Sequence, residues 1–113
     1  MTRFERAAQL WSVLAFAARQ QHILSYDIAG KLTGLPQRAI GDNLSPIQDY
    51  CMQKGLPPMT VLVVKQETGL PGLGFIAEKD VLAAQAKVFV YDWLSRATPT
   101  PADFERAYLK AKH

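Results

Sequence analysis

The chain has one cysteine, two histidines and no long unbroken apolar run among its 113 residues. Cys51 alone allows no internal disulfide and no cysteine metal cluster, and a reducing, cytoplasmic interior is the expected compartment. His22 has no Cys, Asp or His at ligand spacing, so no metal site and no cofactor is expected. The scattered hydroxyls and carboxylates do not place a nucleophile, a base and an orienting group at a recognisable spacing, so no enzyme is expected. No internal repeat or low-complexity tract is present. Ala7 to Ala18, with Arg3 and Arg6 before it, has the look of a signal peptide, but Gln9 and Ser12 interrupt the run and Glu5 spoils the basic flank. It is also too short to span a bilayer, and no membrane association is expected.

What is present is a chain of single-domain length, 49% hydrophobic, with a formal charge of +3. Residues 1–65 hold seven Lys/Arg against four Asp/Glu, and residues 66–113 hold six against six, so the first segment carries the whole excess. That bias suits a polyanionic partner, although many ordinary proteins have one of this size.

The segment from Ser25 to Gly41 is written like a helix-turn-helix. Ser25 caps a short helix with Ile28, Ala29 and Leu32 facing inward, and Thr33-Gly34-Leu35 makes the turn. Pro36 then opens a second helix over about 36–44, with Gln37, Arg38, Asp42 and Asn43 facing out. The same unit also serves as a plain packing or protein-docking element.

Around this unit the spacing predicts a first helix over about 3–19, buried through Phe4, Ala7, Ala8, Trp11, Leu14, Ala15 and Ala18. Ser45-Pro46 restarts the chain as a further helix to Lys54, which Gly55 ends. Thr60 to Lys65 reads as a strand, Gln66 to Gly69 as a turn and Leu70 to Phe75 as a Gly-rich strand or loop, together a hairpin wing. A helix over about 80–96 turns Val81, Leu82, Gln85, Val88, Phe89 and Trp93 inward, with Tyr91 opposite. Thr100 and Asp103 form a capping box for a last helix to about Lys112. The expected fold is mainly α with a small β-hairpin wing: one domain, with a winged-helix core over 3–76 and a helical extension over 78–113.

Several short motifs occur in a shared order. They are Phe4-Glu5-Arg6 with Leu10-Trp11, Ser25-Tyr26-Asp27-Ile28-Ala29, Gly34 and Pro36, Arg38-Ala39-Ile40-Gly41, Val63-Val64, and Gly69 with Gly72-Leu73-Gly74-Phe75. Over about residues 4–75 the chain thereby resembles the C-terminal winged-helix domain of alkylguanine-DNA alkyltransferases and of their non-enzymatic relatives, the alkyltransferase-like proteins. The resemblance implies that Tyr26 presses on a backbone phosphate to turn a nucleotide out of the stack, and that Arg38 fills the gap. Such roles are physically sensible, because extrusion costs a few kcal/mol and a planar cation stacks in the space left. The chain departs from the family at its reactive motif, Pro-Cys-His-Arg, where Pro57-Pro58-Met59-Thr60-Val61-Leu62 stands instead. It is also shorter than the family between Pro36 and Arg38. Alkyl transfer is therefore not expected, and no pocket for a turned-out base is recognisable from the sequence.

The expected function is non-catalytic binding of double-stranded DNA. Tyr26 is read either as a phosphate contact or as a ring covering the core edge, and Arg38 as the main DNA contact or as a solvated or ion-paired side chain. Gln37 and Asn43 have the chemistry for base edges but are also ordinary helix-surface residues. Lys65, at the wing tip, suits a phosphate. Asp27, Asp42 and Asp49 oppose close approach to DNA, and Asp42 can instead bridge Arg38 at i,i+4. Gly69, Gly72 and Gly74 are read as turn residues and Cys51 as a small buried apolar one. The alternative is a protein-interaction or inhibitor module on the same scaffold, such as an accessory protein of a bacterial or phage system. There the C-terminal helices cover the core, pair as a homodimer or bind a partner.

Overall fold

Thr2 begins the first helix with a reciprocal cap: its hydroxyl accepts from the Glu5 N–H and its own N–H donates to the Glu5 carboxylate. These bonds hold the Glu5 carboxyl below the usual carboxylate range. The structure, a computed structural model, describes residues 1–72 and 74–111. Leu73 of the expected wing and Lys112 at the expected end of the last helix lie outside the described residues.

Helix α1, Arg3–Arg19, buries Ala7, Trp11, Leu14, Ala15 and Ala18 as its stripe predicts, with Phe4 and Ala8 half-buried. Leu10 and Ala17 are buried as well, so helices flank α1 on more than one side. A two-residue strand β1, Leu24–Ser25, leads into α2, Tyr26–Thr33. Ser25 Oγ caps α2 by accepting from the Ile28 N–H at 3.1 Å, and Gly34 ends it in the left-handed region at φ 77°. The inner face differs from expectation. Ala29, Gly30 and Thr33 are buried, whereas Ile28 and Leu32 are exposed. Gly30 explains this, because a Cβ there would lie 2.7 Å from the Leu35 carbonyl oxygen, and the missing side chain lets the turn fold back.

The second helix also departs from its expected limits. Gln37–Ala39 form a single 3₁₀ turn, and α3 then runs unbroken from Ile40 to Lys54, straight through Pro46. Proline cannot donate to the carbonyl four residues back, which is that of Asp42. Arg3 supplies the lost bonds: its Nε and Nη2 donate to the Asp42 oxygen at 3.1 and 2.7 Å. Nη1 of Arg3 donates to the Tyr108 hydroxyl at 2.8 Å. Gly55, at φ 67°, ends α3.

The expected strand over 60–65 is mostly a 3₁₀ turn, Met59–Leu62, followed by β2, Val63–Val64. Strand β2 pairs in parallel with β1, Leu24 beside Val63 and Ser25 beside Val64, and among the described residues no strand forms in 70–75. Residues 65–70 close a tight loop instead: Lys65 N–H donates to the Leu70 carbonyl, and Gly69 N–H to the Lys65 carbonyl. The β-hairpin expectation is thus corrected. The fully buried Met59, Val61, Leu62 and Val63 seat this segment against the core, with β1 as its sheet neighbour.

Helix α4, Val81–Val90, starts at the Asp80 cap and stops six residues earlier than expected. Leu82, expected inward, is 78% exposed, while Ala84 and Val88 are buried. Trp93 sits inward on a separate 3₁₀ turn, its indole N–H donating to the Val88 carbonyl at 2.8 Å. Because the chain is extended at Tyr91, that ring packs on Trp93, with centroids 4.4 Å apart, and does not point away. Helix α5, Pro101–Lys110, carries the expected Thr100–Asp103 capping box. Trp11 is the hub of the core, within 5.8 Å of the rings of Tyr50, Trp93 and Phe104. Phe104 is fully buried, so α5 shares a core with α1 and α3.

Candidate nucleic-acid interface

Tyr26 opens α2 immediately after the Ser25 cap, which directs its ring toward the loop after β2. Its hydroxyl accepts from the Gly72 N–H at 3.1 Å. A Cβ on Gly72 would lie 2.4 Å from that oxygen, so only glycine lets the loop come this close. A phenol oxygen that accepts one hydrogen bond still has its own O–H to donate. The ring therefore fixes the loop and keeps a donor for a ligand.

Pro36 starts the 3₁₀ turn, whose first closing bond runs from the Ala39 N–H to the Pro36 carbonyl at 2.9 Å. The turn lifts Gln37 and Arg38 out of the surface, and both are exposed. Tyr26, Gln37, Arg38 and Lys65 line one open groove of about 570 Å³, with Glu67 on its wall. Four of the five residues singled out from the sequence thus come together from three separate segments. Neither Arg38 nor Lys65 has an ion-pair partner among the described residues, and the Arg38–Asp42 bridge does not form. Asp27 is held by Lys31 at 3.0 Å.

Asn43 is the exception. It is buried on α3, and its Nδ2 donates to the Ala39 carbonyl at 2.8 Å. The 3₁₀ turn shifts the helix start, and Asn43 is drawn inward to tie that start down, so it cannot reach a base edge.

Beside the groove lies a second, more enclosed cavity of about 410 Å³ between α3 and residues 71–72 and 74–76. Tyr26, Gly41 and Gly72 border both spaces. Leu44 and Phe75 supply apolar wall, and Thr60 lines the cavity from the 3₁₀ turn before β2. Gln48 builds the far side: its Nε2 donates to the Gly74 carbonyl at 2.9 Å, and its Oε1 accepts from the Ile76 N–H at 3.0 Å. No pocket was recognisable from the sequence, and Gln48 was missed. Its signal was a long amide on the same face as the buried Leu44 and Cys51, a position that demands partners on both ends.

The one thiol is elsewhere. Cys51 is buried on α3, and burial pushes it up to about 12, against a backbone hydrogen bond from Met59 and the Arg96 charge. His22 is exposed, and no group of metal-ligating side chains occurs among the described residues. No described helix is long and apolar enough to cross a membrane.

The chain matches no model of a known protein family, no curated protein and no solved structure.

Proposed function

We propose that the protein is a non-catalytic, mainly helical domain that binds double-stranded DNA through its helix-turn-helix-like segment, as its resemblance to alkyltransferase-like proteins suggests. The observation that carries this reading is the common groove of Tyr26, Gln37, Arg38 and Lys65, which holds two cations without ion partners among the described residues. Arg38, raised on the turn before α3, enters a DNA groove, and Lys65 meets a phosphate. Gln37 offers an amide to a base edge. The O–H of Tyr26 is free to meet a phosphate oxygen while its oxygen holds Gly72. The adjoining cavity takes a base turned out of the stack, with Tyr26 and Phe75 as its ring-bearing walls. Cys51, buried and with its thiol pushed up to about 12, is no nucleophile for alkyl transfer at neutral pH.

Fluorescence anisotropy of a labelled duplex, titrated at low and at moderate salt, tests the reading. Binding at low salt that weakens as salt rises supports it. No binding at low salt removes it.

A second reading, a protein-docking module, draws on α4. Leu82, Ala86 and Val90 recur at i,i+4 spacing on its outer face, and Leu82 and Val90 are 78% and 83% exposed. A partner retained stoichiometrically after nuclease treatment, and lost in Leu82→Glu, favours this reading over the first.

A further inference from the structure

We propose that the cleft between the last turn of α3 and helix α5 holds backbone phosphates of a second DNA duplex, so that one molecule bridges two duplexes. The proposal rests on the DNA-binding reading above.

Lys54, Arg106 and Lys110 line this cleft of about 220 Å³ against one carboxylate, Asp103. The groove, by contrast, sets Arg38 and Lys65 against Glu67, so the cleft is the more cationic of the two. Asp103 is already engaged: one of its oxygens takes the Arg106 guanidinium, and the other accepts from the Thr100 N–H at 2.8 Å. Lys54 and Lys110 have no ion-pair partner among the described residues, although Lys54 Nζ stands 5.9 Å over the Tyr50 ring at the cleft wall. Each lysine lies in the last turn of its helix, where a cation offsets the helix dipole. The dipole does not require them to converge, with Arg106, on a single cleft. The walls are held from inside, since Gln53 Nε2 donates to the Ala107 carbonyl at 2.8 Å and Tyr50 packs edge-on against Phe104. The cleft falls below the roughly 300 Å³ at which small-molecule pockets begin, which favours a phosphate presented by a polymer. Exposed cations on long stems suit phosphodiester oxygens, which carry full charge at every step of the backbone.

Its place on α3 separates the cleft from the groove. Gly41 lines the groove and Tyr50 the cleft, nine positions apart on one helix. At 3.6 residues per turn this is about two and a half turns, so the two residues lie on opposite sides of α3. Gly41 also stands near the start of the helix and Lys54 at its end, about 20 Å apart along the axis at a rise of 1.5 Å per residue. A straight duplex seated against Arg38 and Lys65 therefore passes on the other side of α3, out of reach of Lys54 and Lys110.

The test is co-capture. A biotinylated duplex is fixed on streptavidin, loaded with protein and washed, and a fluorescent duplex is then added at low salt. Wild type should retain the second duplex, and retention should fall about tenfold in the Lys54→Ala, Lys110→Ala double variant. Loading on the first duplex should change by no more than about twofold, the statistical factor between two sites and one. Lys54→Arg with Lys110→Arg, which keeps both charges, should restore retention. Both lysines are exposed, so their removal leaves the core intact. Equal retention in wild type and K54A/K110A, or none in wild type while the first duplex loads, overturns the second site and leaves the groove standing. Labelled poly-L-glutamate held by wild type and lost in K54A/K110A, without retention of a second duplex, assigns the cleft to an acidic peptide and overturns the proposal as well. No loading on the first duplex by any of the proteins overturns both this proposal and the DNA-binding reading.

Discussion

The hydroxyl of Tyr26 and the backbone N–H of Gly72 are joined by a 3.1 Å hydrogen bond across 46 positions of sequence. This contact makes the partition between the open groove and the cavity behind it. It also ties a residue expected to touch DNA to a loop expected to form a wing.

Gly72→Ala puts a methyl group where the Tyr26 oxygen lies 2.4 Å away. The half-buried ring cannot retreat freely, so a loss of about 1–3 kcal/mol is expected in urea unfolding. Tyr26→Phe removes the acceptor and should cost about 1 kcal/mol. In the double variant the methyl meets a smaller obstacle, and the combined loss should be less than the sum. Strict additivity would show that the two residues do not meet.

Arg3 compensates for a proline. Its guanidinium occupies the Asp42 carbonyl that Pro46 leaves open and also lies 4.3 Å over the Tyr108 ring. Arg3→Ala should destabilise by about 1–3 kcal/mol. The loss should shrink in a Pro46→Ala background, where residue 46 supplies an N–H of its own. An equal loss in both backgrounds contradicts the compensation.

The local signals were legible in the sequence. Ser25, Gly34, Gly55 and the Thr100–Asp103 pair mark helix ends where the structure has them, because capping chemistry acts within a few residues. The long-range ones were not. Pro46 reads as a helix start when the donor that replaces its N–H is as distant as Arg3. The Val63–Val64 pair was legible as strand, but its partner, Leu24–Ser25, lies 39 positions away and runs parallel, so the expected hairpin had the wrong neighbour. Exposed Ile28, Leu32 and Leu82 followed helical spacing that tertiary packing overrode. Of the groove's lining, Tyr26, Gln37, Arg38 and Lys65 were singled out from motif and charge. The inward turn of Asn43 and the cavity behind Tyr26 depend on where the chain folds back.

Cys51 gives a pH dependence with a definite sign. Its thiol is raised from its ordinary value of 9.0 to about 12, mainly by burial. Between those values the unfolded chain releases the proton and the folded chain keeps it. The contribution to stability is thus fully present below about pH 9 and is lost as pH rises toward 12. Native protein at neutral pH should resist a thiol reagent such as dithionitrobenzoate, and Cys51→Ala should flatten the alkaline decline in stability. Fast labelling without unfolding contradicts the buried assignment.

Glu67 stands on the wall of the proposed interface and repels phosphate. Glu67→Gln should tighten duplex binding several-fold at low salt, and the gain should fade as salt rises. Asn43→Ala should lower stability by about 1 kcal/mol and leave duplex affinity unchanged, since its amide holds Ala39. A weaker E67Q, or an N43A whose only defect is in DNA binding, contradicts this arrangement of the groove.

The most direct measurement is the slope of log affinity against log salt for one duplex, compared between wild type and the Arg38→Ala, Lys65→Ala double variant. The account predicts a steep wild-type slope, reduced by about one for each phosphate contact removed, together with a marked loss of low-salt affinity. Superimposable slopes and affinities would show that these two cations do not hold DNA.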